Sequence, residues 1–328
     1  MIFVENKNTD PALNHAIELY LMENYDDDIF MLWRNRPCIL IGRYQNINLE
    51  VNLDFTNENN MDVIRRLSGG GAIYCDTDNM QYSFITKKTG SDVDSSFKKF
   101  ASPVVSALKS LGLDAEFTGR NDIQIGGAKV SGNAQFQSKE KILHHGTLLF
   151  KANLYNLTNS LKARDIKFKG KAVQSIRSRV GFIGDMIDMD IESFMDYVVE
   201  FMKKEYRITN TTVLTDDEMK KIHKIREEIF SAKEWNEGTM TLKKNRNAQK
   251  YSCGVVEIGL DIESEKIKDI SIEGDFFSEL GIDKLSEVLI GVDCTKEAVE
   301  KALKDIDLDR YIRGMDKTVF IEDIIKLF

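Results

Sequence analysis

The 328-residue chain lacks most of the features that would assign it a class at once. Its four cysteines, Cys38, Cys75, Cys253 and Cys294, stand far apart and form no CxxC pair, which argues against a structural zinc site or a disulfide framework. No apolar run approaches the ~20 residues needed to cross a bilayer, so no membrane association is expected. The start, Met1-Ile-Phe-Val-Glu-Asn-Lys7, has no basic segment ahead of an apolar stretch, so no secretory signal is expected and the cytoplasm is the default compartment. A basic surplus is missing too. The net charge of −8 argues against a general nucleic-acid binder. Internal repeats and low-complexity segments are absent. What is present is the composition of a soluble globular protein, 42% hydrophobic and 30% charged, in a length that suggests two domains.

Periodicity gives a coarse plan. Asp10-Pro11 reads as a helix start, with Asp as N-cap, Pro at the first helical position and apolar residues at helical spacing through about Asn24. β-rich runs follow at Ile29–Trp33 and Cys38–Gly42, then a short helix over Leu53–Asn59 and a strand near Asp62–Arg65. Ala72–Tyr74 and Gln81–Thr86 are expected to form a hairpin around Asp76–Asn79. Ser96–Leu111 and Ile191–Tyr206 read as amphipathic helices, and Ile123–Ile125, Lys129–Gln137 and Ile142–Phe150 as strands. Lys220–Phe230 is another expected helix. Ser231–Lys250 is polar and basic and reads as a linker or domain entry. A strand pair, Tyr251–Leu260 with Lys266–Ile272, and three helical segments complete a small α+β tail.

Two glycine-rich stretches carry the chemical signal. In Arg65-Arg-Leu-Ser-Gly-Gly-Gly-Ala-Ile-Tyr74, three glycines lie between a basic pair and a strand-like run. Glycine lets backbone approach a ligand closely, and exposed N–H groups beside arginines suit a phosphate or carboxylate. Arg65 and Arg66 are strand neighbours, so they face opposite sides. In Gly119–Gly132, one lysine, Lys129, follows a glycine turn between two strands. This is not a Walker A loop, because valine follows the lysine and no helix opens there. Between Lys162 and Arg179 there are seven basic residues (Lys162, Arg164, Lys167, Lys169, Lys171, Arg177 and Arg179) against one acid, Asp165, a net of +6. Charge alone leaves a solvated loop and a segment folding over nucleotide phosphates equally open.

Taken in order, Arg65–Tyr74, Gly119-Arg-Asn-Asp122, Ala128-Lys-Val-Ser-Gly132, His145-Gly-Thr-Leu148 and Ser175-Ile-Arg-Ser-Arg-Val180 resemble lipoate–protein ligases of the biotin and lipoate ligase superfamily. Leu32–Pro37 and Ile41–Asn46 are similar to the family's early strands. The resemblance implies an α/β (α+β) fold: a class II synthetase/biotin-ligase-like catalytic domain over residues 1–245 and an accessory α+β domain over 246–328. It implies activation of lipoate by ATP to lipoyl-AMP, then transfer to a lysine of lipoyl domains of 2-oxoacid dehydrogenase E2 subunits or of the glycine-cleavage H protein. Lys129 is the implied catalytic cation, touching both the lipoate carboxylate and the α-phosphate. Arg66, Gly71, Ala72, Ile73, Tyr74, Asp122, Lys129, Arg177 and Arg179 are the implied nucleotide residues. Ser68, Gly69, Gly70, Gly71, Lys129, His145 and Gly146 are the implied acyl-site residues. Mg²⁺ should accompany ATP, held mainly by phosphates and water, with Asp122 as the candidate protein ligand. The expected state is a monomer.

The residues themselves temper this. Asn121-Asp122 is also what a plain Asn-Asp turn looks like. His144 and His145 point to opposite faces of a strand and would rarely share one ion, so structural histidines are expected rather than a zinc site. The family commonly has His-Asp after the aromatic residue of the glycine strand, where this chain has Cys75-Asp76. No role of that histidine can be carried over, because a thiol does not reproduce its hydrogen bonding. Octanoate is an alternative acyl substrate. An octanoyltransferase using a cysteine thioester is disfavoured, since no cysteine lies between Cys75 and Cys253. A biotin ligase is disfavoured by the absence of a Gly-Arg-Gly-Arg loop. A cysteine-independent transferase, an adenylating partner in a relay, and a non-catalytic lipoyl-domain binder stay open.

Overall fold

The computed structural model describes residues 1–88, 93–162, 180–238 and 242–328. Strands β1 (Ile2–Glu5), β2 (Ile29–Trp33), β3 (Cys38–Ile41), β4 (Asp62–Arg65), β5 (Ile73–Cys75), β6 (Met80–Lys87), β7 (Ala115–Thr118), β8 (Asp122–Ile125), β9 (Ala128–Gln137), β10 (Lys141–Leu148) and β11 (Thr211–Thr212) divide between two sheets. The larger is mixed and eight-stranded, in the order β11-β1-β2-β6-β10-β9-β8-β7, and the smaller runs β4-β3-β5.

Side-chain alternation along β2 shows why the large sheet carries a layer on each face. Ile29, Met31 and Trp33 point to one side and pack against helix α1 (Pro11–Asn24), while Phe30 and Leu32 point to the other and meet the helices Val93–Ser110 and Ile191–Glu205. Helix α1 begins as the sequence predicts, with the Asp10 side chain accepting from Leu13 N at 2.9 Å and Pro11 in the first turn. The small sheet alternates likewise. Cys38, Leu40, Ile64 and Cys75 face the α1 layer, and Ile39, Ile41 and Tyr74 face a separate cluster around Val51 and Met61.

The expected hairpin of Ala72–Tyr74 with Gln81–Thr86 does not form. β5 pairs with β3 in the small sheet, whereas β6 lies between β2 and β10 in the large one. Asp76 makes the corner, its Oδ1 accepting from Asp78 N and Asn79 Nδ2 and its Oδ2 from Asn153 N. A turn signal fixes a change of direction, but the partner is chosen by which edge offers a matching apolar face.

Ser231–Lys250 is likewise no plain linker. Lys233–Glu237 is a short helix, and Asn245–Tyr251 is strand β12, which opens a separate three-stranded antiparallel sheet with β13 (Gly254–Glu263) and β14 (Lys266–Gly274). Exposed Asn, Gln, Lys and Arg along β12 hid it, because one face of an antiparallel edge strand can stay in water. β13 and β14 join at Ser264-Glu265, both at positive φ (52° and 61°), as the expected turn near 263–265 requires. This sheet and the helices after it have their own core, including Ile258, Phe276, Leu289 and Phe320.

The C-terminal unit sits on the glycine segment. Gly70 N donates to Phe276 O at 3.3 Å, and the Tyr44 and Phe276 rings stack at 5.0 Å. The Arg120 guanidinium lies 4.8 Å from the Phe277 ring centroid and donates to Cys253 O. Among the described residues no helix is long and apolar enough to cross a membrane.

Candidate active site

A cavity of about 140 Å³ opens between the two sheets. Its walls include Gly70, Gly71, Ala72 and Ile73 from the glycine segment, Lys129 and Gly132 from β9, His145 and Gly146 from β10, and Arg66 at the end of β4. The C-terminal unit touches Gly69 and Gly70 from outside this space. Lys129 stands where β8 and β9 shift register, Ile123 opposing Ser131 and Gln124 opposing Lys129. The extra residue re-aims the strand. The ammonium lies 2.7 Å from Asp122 Oδ1, an ion pair by distance whose angle misses hydrogen-bond geometry. It also rests on Gly132, where an added Cβ would sit 3.0 Å from Nζ.

Arg66 is fully buried, and most of its donors are spent on the protein. Nη1 donates to Leu40 O at 3.0 Å, Nη2 to Gly69 O at 2.9 Å and Gly71 O at 2.8 Å, and Nε to Ser68 Oγ at 3.2 Å. Burial lowers its pKa to about 10. The guanidinium therefore shapes the glycine loop from behind. Arg65 faces the other way, donating to backbone oxygens of Gly42, Gln45, Trp235 and Asn236.

Beneath the cavity lies a buried network that the sequence reading missed. His145 Nε2 bonds Ser68 Oγ at 2.6 Å and its Nδ1 bonds Glu18 Oε1 at 3.0 Å. Glu18 also takes Ser83 Oγ at 2.6 Å and His15 Nδ1 at 2.8 Å. Burial alone would push the Glu18 carboxyl up. The two imidazoles override it and hold the group well below the usual carboxylate range. Burial pushes the His15 pKa down. Residues 15 and 18 share one face of a helix at i and i+3, so two polar groups on the apolar side of α1 were the available signal.

A family profile described as "Lipoyl protein ligase A/B catalytic domain" matches residues 10–203. The chain belongs to this family. A second profile, "Bacterial lipoate protein ligase C-terminus", matches residues 243–324. Lipoate–protein ligase 1 of Staphylococcus aureus is 38% identical over 97% of this chain and 98% of its own length. Lipoate-protein ligase LplJ of Bacillus subtilis is 36% identical over 98% and 99%. Among solved structures, lipoate-protein ligase A bound with ATP aligns at a TM-score of 0.64 and 25% identity, covering 73% of this chain and 99% of its own. The P. falciparum LipL1 complex with lipoate, at 21% identity, shares the fold over 99% of this chain and 98% of its own, with a TM-score of 0.78.

In this lipoate–protein ligase family member, most of the residues expected at the site do meet at one cavity. Four do not line it. Ser68 lies behind the wall on His145, Gly69 is covered by Phe276, Asp122 meets the Lys129 ammonium from outside the lining, and the Tyr74 side chain turns into the Ile39 cluster by strand alternation. Arg177 and Arg179, and the basic segment apart from Lys162, lie outside the described residues. Lys162 itself donates to Asn48 O. Trp33, Leu40, Gln81 and Asn133 line the cavity and were not anticipated, because each belongs to a different strand.

His144 and His145 do face opposite ways. His144 Nε2 meets Asn133 Oδ1 at 3.0 Å, and its Nδ1 meets Gln135 Nε2 at 2.9 Å. That donor set assigns a neutral ring, with the proton on Nε2. Burial, then the neighbouring His145, push its pKa well below 6.5. The unfolded chain binds a proton at that position near pH 6.5 and the folded chain does not, so His144 makes stability fall as pH drops below about 6.5. His15 acts in the same direction. The slope should approach about 1.4 kcal/mol per pH unit for each such group. Urea titrations between pH 7.5 and 5.5 should show the loss, and H144Q should flatten it.

His15, Glu18 and His145 present ligand atoms within 4.8 Å of one another, yet those atoms already bond each other. An ion there would have to break both contacts. Gly146 has no room for a side chain on the face of β10 turned away from His145. A Cβ at that position would lie 2.5 Å from the Tyr82 ring and 2.6 Å from Asn133 Oδ1. G146A should therefore lower the stability of the fold by about 1–3 kcal/mol, as urea unfolding would show.

Proposed function

We propose that this chain condenses lipoate with ATP to lipoyl-AMP and pyrophosphate, then passes the lipoyl group to a lysine of a lipoyl domain. The observation that carries the reading is the ammonium of Lys129 beside glycine backbone, in a cavity whose other walls combine apolar Trp33, Leu40, Ala72 and Ile73 with polar Gln81, Asn133 and His145. A carboxylate attacking a phosphate brings two anions together, and a fixed cation between them stabilises the charge that builds up in the transition state. Gly70 and Gly71 let main chain approach the acyl-adenylate, and Arg66 holds the Gly69 and Gly71 carbonyls in place. The lipoate chain runs from Lys129 past Gly146 toward Trp33 and Leu40, with its charged end at the cation and its apolar end in the apolar depth. Arg177, Arg179 and Tyr74 complete the nucleotide side of this reading, Tyr74 through its backbone.

Asp122 fits magnesium. One carboxylate beside the phosphates is the usual protein share of such a site, and its contact to Lys129 leaves coordinating lone pairs. The ion supplies charge neutralisation of the phosphates when bound. The acceptor is a lipoyl domain of a 2-oxoacid dehydrogenase E2 or the glycine-cleavage H protein, which the +6 segment suits if the acceptor face is acidic. The catalytic unit spans residues 1–245 and the accessory unit 246–328. A solved archaeal system pairs a bipartite lipoate protein ligase with its E2 lipoyl domain, at 26% identity and a TM-score of 0.67 over 74% of this chain and 98% of its own, which supports such a partner. A cysteine thioester route finds no support here, since among the described residues no thiol lines the cavity at its Lys129 end, where the carboxyl group is held.

Intact-mass measurement on a lipoyl domain incubated with this protein, ATP, Mg²⁺ and lipoate tests the reading. The acceptor should gain one lipoyl group, and only when ATP is present. An unmodified acceptor with no pyrophosphate released would reject it.

A further inference from the structure

Cys38 and Cys75 are directly opposed across the antiparallel pair β3/β5. Residues so placed have Cα atoms roughly 4.5–5.5 Å apart, inside the roughly 4.4–6.8 Å span of disulfides. Both thiols are free and fully buried. On the same face of the same two strands the neighbouring pair is Leu40 and Ile73, and both of these line the acyl cavity. The thiols therefore lie one same-face step, about 7 Å, beyond the cavity's apolar wall. One side chain intervenes. Gln81 lines the cavity and donates from Nε2 to Cys75 Sγ at 3.4 Å, while its Oε1 is buried without a hydrogen-bond partner.

The surroundings distinguish the two thiols. Cys75 receives the donor of the cavity-lining Gln81 and so is the sulfur in contact with the cavity wall. Burial pushes the Cys38 thiol pKa well above its ordinary value.

We infer that Cys75 and Cys38 form a dithiol/disulfide couple that exchanges with the cyclic disulfide of the bound acyl group. The inference rests on the ligase reading, which sends the dithiolane to this end of the cavity and the carboxylate to Lys129. When the Gln81 side chain turns aside, Cys75 Sγ attacks one dithiolane sulfur and its proton passes to the ring sulfur that leaves. The ring S–S bond breaks and a mixed disulfide forms. Cys38 then attacks Cys75 Sγ, releasing the second substrate sulfur. Two electrons and the two thiol protons pass to the acyl group, which becomes the dihydro form, and the protein keeps a Cys38–Cys75 disulfide. No outside oxidant is needed, and the reverse reaction regenerates the dithiol. Gln81 Oε1 is placed to accept from a newly formed substrate thiol.

The test uses the full chain without added reductant, approached from both sides. Reduced protein with excess lipoate should lose two of its four free thiols, become about 2 Da lighter and release dihydrolipoate, and peptide mapping should place the bond at Cys38–Cys75. Protein oxidised at this pair with diamide should be reduced by dihydrolipoate. C38S should stall at the first step and gain the mass of one lipoate on Cys75, while C75S should gain nothing. Exchange in either direction supports the couple. Unchanged thiols from both sides, or a pair that diamide cannot oxidise, overturns it. Octanoate, which has no sulfur, is run in parallel with ATP and acceptor. Ligation of octanoate, together with thiols that lipoate leaves unchanged, sinks the inference alone, and thiol exchange with lipoate without any ligation sinks the ligase reading alone.

Discussion

Replacing Lys129 with alanine is expected to slow lipoyl-AMP formation by about 10²–10³-fold, equivalent to about 3–4 kcal/mol of transition-state stabilisation. Stability should barely move. The side chain is 38% exposed and its one ion pair, to Asp122, is itself partly in water, so surface-pair energetics of about 0–1 kcal/mol apply. A large kinetic effect with a small thermodynamic one separates a charge needed in the reaction from one that holds the fold. Arginine should rescue poorly. The ammonium fits against Gly132 because that residue has no side chain, and a planar guanidinium needs more room than this contact leaves. Pyrophosphate release under single-turnover conditions measures both variants. Near-normal release by K129A would remove the basis of the proposed mechanism.

Replacing Glu18 with alanine is expected to destabilise the fold by about 3–5 kcal/mol, the usual cost of leaving a buried ionic cluster without one partner. Three groups depend on this carboxylate: the Ser83 hydroxyl and the His15 and His145 imidazoles. It also offsets part of the field of the buried Arg66. The folded-state pKa of Glu18 lies below its ordinary 4.5, so its contribution is fully present above about pH 4.5 and is lost as pH falls toward the folded value. Acid therefore acts in two stages, on His15 and His144 below about pH 6.5 and on Glu18 below about 4.5. Urea unfolding at pH 7.5 should show a lower midpoint for E18A with an unchanged slope. A shift under about 1 kcal/mol would mean the network is solvated and its bonds are weak.

Much of the site was legible before any fold was known, for a local reason. Gly70, Gly71, Ala72, Ile73 and Lys129 belong to two short segments where residue type is dictated by a backbone that must come close to a ligand. Such a demand appears as contiguous sequence. Positions that meet the same cavity from Trp33, Leu40, Gln81 and Asn133 are ordinary strand residues, and nothing in their own neighbourhoods marks them. Arg66 shows a further limit. Its charge was legible, but that its donors would be taken up by Leu40, Gly69 and Gly71 carbonyls was not.

The sequence by itself determined the start of α1 at Asp10-Pro11, the continuous apolar run that lets β2 bury both its faces, and the glycine and lysine motifs. Each follows from local conformational preference or side-chain period. Only the tertiary structure decided that β5 would leave β6 and pair with β3, that β12 would join the C-terminal sheet, that Glu18 would sit under His145, and that Cys38 would oppose Cys75. Strand partners and buried polar contacts are settled by which faces and charges the whole chain brings together, and those energies lie between segments far apart in sequence.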